Sequence, residues 1–144
     1  MVSKDLLNEM KAKFEAGSSK ADINDTLKVF ELYKQLAEKS EDLKEEMEDM
    51  DITVQMIISD KDKKFWVKVK EGNMEYGEGE VEEPSFTFSA SFETGAGMLF
   101  GEIDATSAYM AGDITVEGNL QDAMAYQEII ELAMEAFEDE LENI

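Results

Sequence analysis

The side chains that carry most enzyme chemistry are missing from this 144-residue sequence or stand without partners. It contains no histidine and no cysteine, which removes the commonest general base, the commonest transition-metal ligand and every thiolate. Its serines have no imidazole to activate them, and no G-x-S-x-G sequence occurs. Carboxylates are abundant, but no spacing singles out a catalytic pair. We predict that the chain has no catalytic residue, no metal site and no cofactor, and that it is not an enzyme.

Two kinds of ligand-binding loop begin in the sequence and are not completed. Residues 60–64 read DKDKK and start like a calcium loop, but Lys64 replaces an oxygen ligand and Phe65 stands where that loop needs glycine. The Gly-x-Gly pairs at 77–79 and 95–97 start like dinucleotide loops, yet neither continues to the third glycine. The sequence therefore favours a charged hairpin turn at 60–64 and gives no support for a nucleotide site.

Acidic residues dominate the charge of the chain, with 35 acidic against 13 basic residues and a net charge of −22. Such a field repels the phosphates of nucleic acids and the headgroups of anionic lipids. We predict no nucleic-acid partner and weak or no direct binding to anionic membranes. No apolar run reaches the roughly 18 residues of a membrane span, and the first residues lack a secretory apolar region. These features predict a cytoplasmic protein.

Hydrophobic periodicity predicts a single domain, residues 1–144, in three parts. Residues 1–50 form a helical N-terminal part, with helices over 4–15, 22–39 and 41–49. Residues 51–119 supply five strands, over 51–59, 65–70, 74–81, 85–92 and 113–117, and two short helices, over 94–100 and 105–111. Residues 120–142 form a C-terminal helix.

The strands alternate apolar and polar side chains, so that Ile, Val, Met and Phe share one face of the predicted sheet. The first three strands read as an antiparallel meander joined by tight turns. We predict an α+β fold with a five-stranded, mostly antiparallel twisted sheet, helices covering one face and water on the other. Ser40, Asp104 and Asn119 are predicted helix caps, and Gly112 is predicted to end a short helix in the left-handed conformation.

A set of large apolar residues around the fourth strand and the helices is the main candidate for function. Its members come from that strand, from the two short helices that must fold over it, and from the last helix. They are Phe86, Phe88, Phe92, Met98, Leu99, Phe100, Tyr109, Met110, Met124, Ile130, Met134 and Phe137. The chain has ten methionines, whose flexible thioethers suit pockets for ligands of varied shape. From composition alone, plain core packing is the simpler explanation of the same set.

The order of motifs from residue 84 to residue 119 resembles the sterol carrier protein type-two (SCP-2) domain family. The matching segments are, in chain order, FTFSAS at 86–91, LFG at 99–101, Asp104, YMAG at 109–112 and ITVEGN at 114–119. A long predicted helix follows from Leu120. Each motif alone is weak, but their order and spacing together are fairly specific, and the resemblance extends from Asp51 onward.

This resemblance implies an apolar tunnel between sheet and helices, lined by the residue set above, that holds a fatty acyl, sterol or isoprenoid lipid. Each methylene removed from water contributes about 0.8 kcal/mol, so a chain of about a dozen carbons needs no ionic anchor. The alternative that the sequence leaves open is an interaction or regulatory domain whose apolar residues form a closed core or a dimer contact. A partner enzyme or a second copy of the chain are the macromolecular partners we consider.

Overall fold

The computed structural model describes residues 2–143, and within them it contains six α-helices and five strands. The helices are α1 Lys4–Ala16, α2 Asp25–Lys39, α3 Glu41–Glu48, α4 Phe92–Leu99, α5 Ala105–Ala111 and α6 Leu120–Glu142. The strands are β1 Asp51–Ile58, β2 Lys63–Lys70, β3 Asn73–Glu78, β4 Phe86–Ala90 and β5 Ile114–Gly118. A short 3-10 helix, Ser18–Lys20, joins α1 to α2. Across residues 2–143, no helix combines the length and the hydropathy that crossing a bilayer requires.

The five strands form one sheet in the order β3-β2-β1-β4-β5. The pairs β1–β2, β2–β3 and β4–β5 are antiparallel, so the first three strands form the predicted meander. The central pair, β1–β4, is parallel and runs from Val54 opposite Phe86 to Ile58 opposite Ala90. The predicted α+β class and mostly antiparallel sheet are therefore confirmed.

The predicted helix caps are confirmed. Side-chain oxygens of Ser40, Asp104 and Asn119 accept backbone N–H groups from the first turns of α3, α5 and α6, at 3.3, 2.9 and 2.9 Å. Gly112 ends α5 in the left-handed conformation, with φ of +82°. A residue with a Cβ atom adopts this conformation only at a cost in free energy, whereas glycine does not. Asp104 and Gly112 thus mark the two ends of α5, and Asn119 marks the start of α6.

One half of the interior, under β2 and β3, is a filled core. The Phe30 ring of α2 lies 6.4 Å from the ring of Phe65 and 6.0 Å from that of Tyr76, measured between centroids. Leu32 and Tyr33 of the same helix are fully buried. The Tyr76 hydroxyl donates to the Glu31 carboxylate at 2.5 Å, which ties the edge strand to α2.

The prediction of a wet opposite face is wrong at Gln55, which is only 5% exposed. Its Nε2 donates to the carbonyls of Phe65 and Gly79 at 2.9 and 3.0 Å, and its Oε1 accepts the Val81 N–H at 2.7 Å. The segment that follows β3 therefore folds back over the sheet and covers this amide. Burial costs little here because every polar atom of the side chain has a partner.

The fourth strand is shorter than the alternation predicts, because it ends at Ala90 rather than at residue 92. Ser91 instead caps α4, and its Oγ accepts the Thr94 N–H at 3.3 Å. Phe92 becomes the first residue of that helix, and its N–H donates to Asp60 at 2.8 Å. A serine in an alternating strand and a serine at a helix N-cap look alike in sequence, which is why the predicted boundary was two residues late.

Candidate functional site

The other half of the interior, at the β4–β5 end of the sheet, holds an apolar cavity of about 420 Å³. Strand residues that share one face of the sheet form its floor: Val54, Met56, Phe86, Phe88, Ile114 and Val116. The remaining lining comes from α4, α5 and the first three turns of α6. This cavity is the candidate functional site.

The strand pairing explains why the floor is apolar. The parallel ladder sets Val54 beside Phe86 and Met56 beside Phe88, and the antiparallel ladder sets Phe88 beside Val116. Because directly opposite residues in a ladder point to the same face, the period-two pattern of three separate strands converges on one surface.

Eight of the residues predicted from sequence line the cavity: Phe86, Phe88, Met98, Leu99, Tyr109, Met110, Met124 and Ile130. Four of the predicted residues do not line it: Phe92, Phe100, Met134 and Phe137. The structure therefore brings together two-thirds of the predicted set.

The four residues outside the cavity have other packing partners. Phe100 stacks on Phe14 of α1 at 4.7 Å between centroids, and Phe137 meets the same ring edge-on at 5.0 Å. The Tyr33 hydroxyl donates a hydrogen bond to the Met134 sulfur at 3.2 Å. Phe92 lies under the Lys61 ammonium, which is 5.8 Å from the ring centroid. Phe100, Met134 and Phe137 thus pack against α1 and α2, which the sequence pattern cannot place.

Several lining residues were not in the predicted set: Val54, Met56, Gly95, Ala105, Thr106, Ile114, Val116, Leu120, Ala123, Tyr126 and Gln127. A signal was present for many of them, since the β1 and β5 residues alternate and Leu120 and Ala123 lie on the apolar stripe of the last helix. The pattern could not locate the cavity, because apolar residues that pack in a core and apolar residues that line a cavity recur with the same period.

The large hydrophobic side chains that are exposed within residues 2–143 all lie at the cavity. Tyr109 and Met110 of α5 are 42% and 83% exposed, and Leu120 and Met124 of α6 are 50% and 69% exposed. We call these four residues the mouth. Their exposure shows that the cavity reaches the surface between α5 and the start of α6.

The polar side chains in the lining are all uncharged: Thr106, Tyr109, Tyr126 and Gln127. Tyr126 is the most deeply placed, with 9% exposure, and its ring lies 6.1 Å from that of Phe86. Burial, and after it the nearby Tyr33 phenol, raises the pKa of Tyr126, so its hydroxyl keeps its proton at neutral pH. Within residues 2–143, no three acidic side chains converge closely enough to hold a metal ion.

The charges of the chain are divided between its two halves, a feature that the predictions from sequence overlooked. All 13 basic residues are lysines at or before Lys70. From Glu71 to the end the sequence has 19 carboxylates and no cation. This second half contains β4, α4, α5, β5 and α6, and so it supplies nearly all of the cavity lining.

Comparison with known proteins gives the fold a family. A family model described as the SCP-2 sterol transfer family matches residues 30–131, well over half of the 144 residues. A search of curated proteins found no match to the chain.

Solved structures give a similar answer for the fold. The apo form of sterol carrier protein 2 from Yarrowia lipolytica has a TM-score of 0.60 and 15% identity, over 79% of this chain and 95% of that one. The ubiquinone synthesis protein UbiJ-SCP2 has a TM-score of 0.62 and 13% identity, over 75% and 94%. A stereoselective inverting sec-alkylsulfatase from Pseudomonas sp. has a TM-score of 0.55 and 13% identity over 60% of this chain, which spans only 14% of that enzyme.

Proposed function

This chain belongs to the SCP-2 sterol transfer family, and on that premise we propose that it is a non-catalytic carrier that binds one apolar lipid in the cavity between sheet and helices. The ligand classes we propose are fatty acyl, sterol and isoprenoid lipids. The observation that carries the proposal is the apolar cavity of about 420 Å³ with a mouth of exposed hydrophobic side chains.

Size and lining support binding of one small lipid. Pockets for small ligands usually have volumes of about 300–1,000 Å³ and mostly apolar walls with a few polar groups. The cavity falls in this range, and its lining contains four polar side chains, none of them charged. Its apolar floor and mouth would shield a hydrocarbon chain from water, at about 0.8 kcal/mol for each methylene buried.

The lining also supports binding rather than catalysis. It contains no carboxylate, lysine, histidine or cysteine, and Tyr126 has its pKa raised, so no lining group offers a strong base at neutral pH. The chain corresponds to only 14% of the sec-alkylsulfatase that shares its fold, so that enzyme's activity gives no reason to expect the same chemistry here. We also propose that residues 1–144 act as one unit, because Phe14 of α1 packs on Phe100 and Phe137, and the Tyr33 hydroxyl of α2 contacts Leu99 of α4 and Met134 of α6.

Binding of 1,6-diphenylhexatriene, a fluorescent hydrocarbon without charge or hydrogen-bonding groups, tests the proposal. We expect a saturable rise in its fluorescence at one equivalent per chain, and co-purified lipid in an organic extract of the protein. Ala123→Phe places a ring in the lining and should abolish most of the saturable signal, whereas Ala12→Phe on the exposed side of α1 should not. Thermal unfolding of both variants shows whether they are folded, and absence of saturable binding to the wild-type protein would refute the proposal.

One observation favours the alternative of an interaction domain. The mouth exposes four large hydrophobic residues together, and such a patch can be a protein contact as well as an entrance. Light scattering over a range of concentrations, with and without bound diphenylhexatriene, separates the two. A monomer at all concentrations supports the carrier, and a dimer that diphenylhexatriene dissociates supports the interaction domain.

A further inference from the structure

The cavity lies in the half of the chain that has no positive charge. None of its lining residues is charged, and no cation occurs after Lys70. Two lysines from the first half lie near α4: Lys61 over the Phe92 ring, and Lys20 in the 3-10 helix that contacts α4. Neither of them lines the cavity. An anionic group at the cavity would therefore have no side-chain cation in the lining to pair with.

Three carboxylates lie within five residues of a mouth residue along the chain and add a repulsive field. Asp104 caps α5, Asp113 follows α5 directly, and Asp122 is in the first turn of α6. Charges of one sign beside an opening with low-dielectric walls concentrate their potential there. A carboxylate or phosphate would meet this potential on approach, and would lose its water on entry without gaining an ionic partner.

The cavity does offer a polar group of another kind. The Tyr126 side chain is nine-tenths buried and lines the cavity. Its hydroxyl makes no hydrogen bond with any residue of 2–143, although the hydroxyls of Tyr33 and Tyr76 each have partners. Within residues 2–143, every fully buried polar side-chain atom has a hydrogen-bond partner. Because the Tyr126 oxygen has no such partner, it must keep some accessible surface, and the space beside this residue is the cavity. A buried hydroxyl normally finds a hydrogen bond, and here a ligand can supply it.

We propose that the cavity selects uncharged amphiphiles, in which a single alcohol or carbonyl group hydrogen-bonds to the Tyr126 hydroxyl, and rejects lipids whose headgroup is a carboxylate or a phosphate. This inference rests on the carrier function proposed above and narrows its ligand class. Free fatty acids and acyl groups that end in phosphate are excluded, and long-chain or polycyclic alcohols and ketones are admitted.

Competition against bound diphenylhexatriene tests the selectivity. The competitors are 1-dodecanol, dodecanoate and dodecylammonium, which share one chain and differ in headgroup charge. At low salt and neutral pH we expect dodecanol to displace the probe at a concentration about tenfold or more below that of dodecanoate. Dodecylammonium is the control for the general cost of burying a charge. Its dehydration cost is similar to that of dodecanoate, but the negative potential attracts it, so it should compete better than dodecanoate.

Matched variants locate the effect at the mouth. Asp113→Lys and Glu45→Lys change the net charge equally, and both replace exposed residues that are outside the lining. Asp113→Lys should improve competition by dodecanoate several-fold and leave dodecanol unchanged, whereas Glu45→Lys on α3 should do neither. Tyr126→Phe should weaken dodecanol about two- to tenfold relative to diphenylhexatriene, the usual effect of losing one hydrogen bond.

Failure of the inference and failure of the carrier function give different results. If diphenylhexatriene does not bind, both proposals fall. If it binds and dodecanoate competes as well as dodecanol, or if the two lysine variants behave alike, the selectivity is overturned and the carrier function stands. If Tyr126→Phe weakens both ligands equally, the assignment of the hydroxyl is overturned.

Discussion

Asp25 shows how one residue can join two helices in this chain. It stands at the start of α2 with 3% exposure, and its carboxylate accepts the Asp22 N–H at 2.9 Å and lies 3.1 Å from the Lys13 ammonium of α1. Burial alone would raise the pKa of this carboxyl, but the Asp22 hydrogen bond and the Lys13 ammonium outweigh it and hold the pKa below its usual value. The folded state therefore favours the ionised form.

Asp25→Asn should lower the free energy of unfolding by about 1–3 kcal/mol at pH 7, because a buried charged hydrogen bond is lost. A group whose pKa is lower in the folded state stabilises the fold above its ordinary pKa of 3.8, and loses that effect as pH falls through the folded value. Urea unfolding from pH 7 down to pH 3 measures the difference in unfolding free energy between the wild-type protein and Asp25→Asn. This difference should be constant at neutral pH and should shrink as the pH falls below the ordinary pKa. The exposed substitution Glu45→Gln is the control, and a pH-independent difference would contradict this account.

Residues of this kind mark a limit of prediction from sequence. Gln55 and Asp25 are polar residues in patterns that predict exposure, yet both are buried with satisfied hydrogen bonds. Their partners come from distant backbone or another helix, so no local period reports them. The caps at Asp104 and Asn119 were predictable because both partners lie within three residues.

Among the elements, the junction from α4 to α5 is held by a close backbone approach. The N–H groups of Glu102 and Ile103 donate to the Gly97 carbonyl at 2.8 and 3.0 Å. This brings the Ile103 side chain so close that a Cβ atom on Gly97 would lie 2.3 Å from its Cδ1 and 2.7 Å from its Cγ1. At Gly95, in the same helix, a Cβ atom would meet only the Ile58 Cδ1, at 3.4 Å.

These two glycines make a matched test of the junction. Gly97→Ala should destabilise the protein by about 1–3 kcal/mol, because Ile103 must move out of a packed position. Gly95→Ala should be neutral or stabilising by up to about 1 kcal/mol, since alanine favours the helix and the space is nearly sufficient. Chemical denaturation of both variants measures the difference, and equal stabilities would show that the close approach of Ile103 is unimportant.

The helices and strands themselves were largely predictable from the sequence, but the way they pair and pack together was less so. Periodicity and caps gave every helix and strand, including α5 from residue 105 to residue 111. The parallel pairing of β1 with β4 could not be read from the residues, because alternation fixes the face of a strand and not its neighbour. For the same reason the predicted site included Phe100 and Phe137, which lie against α1.

At the scale of the whole molecule, a net charge of −22 on 144 residues opposes the compact state. The screening length falls from about 30 Å at 0.01 M salt to about 3 Å at 1 M, so added salt should relieve this repulsion. We expect the melting temperature to rise by several degrees over that range of sodium chloride. Circular dichroism melts test this, with Glu45→Lys expected to show a smaller rise, and a melting temperature that does not increase with salt would contradict it.

The confinement of every lysine to the first 70 residues also decides how the protein responds to proteases. Trypsin has no cleavage site between Glu71 and the C-terminus of this sequence, so digestion leaves the cavity-forming half as one uncut peptide. Limited trypsinolysis would accordingly report on the opening of α1 to β2 and remain blind to the motion of α5 and α6. A glutamate-specific protease cuts in the region that trypsin spares, and is the reagent with which ligand protection of the mouth can be followed.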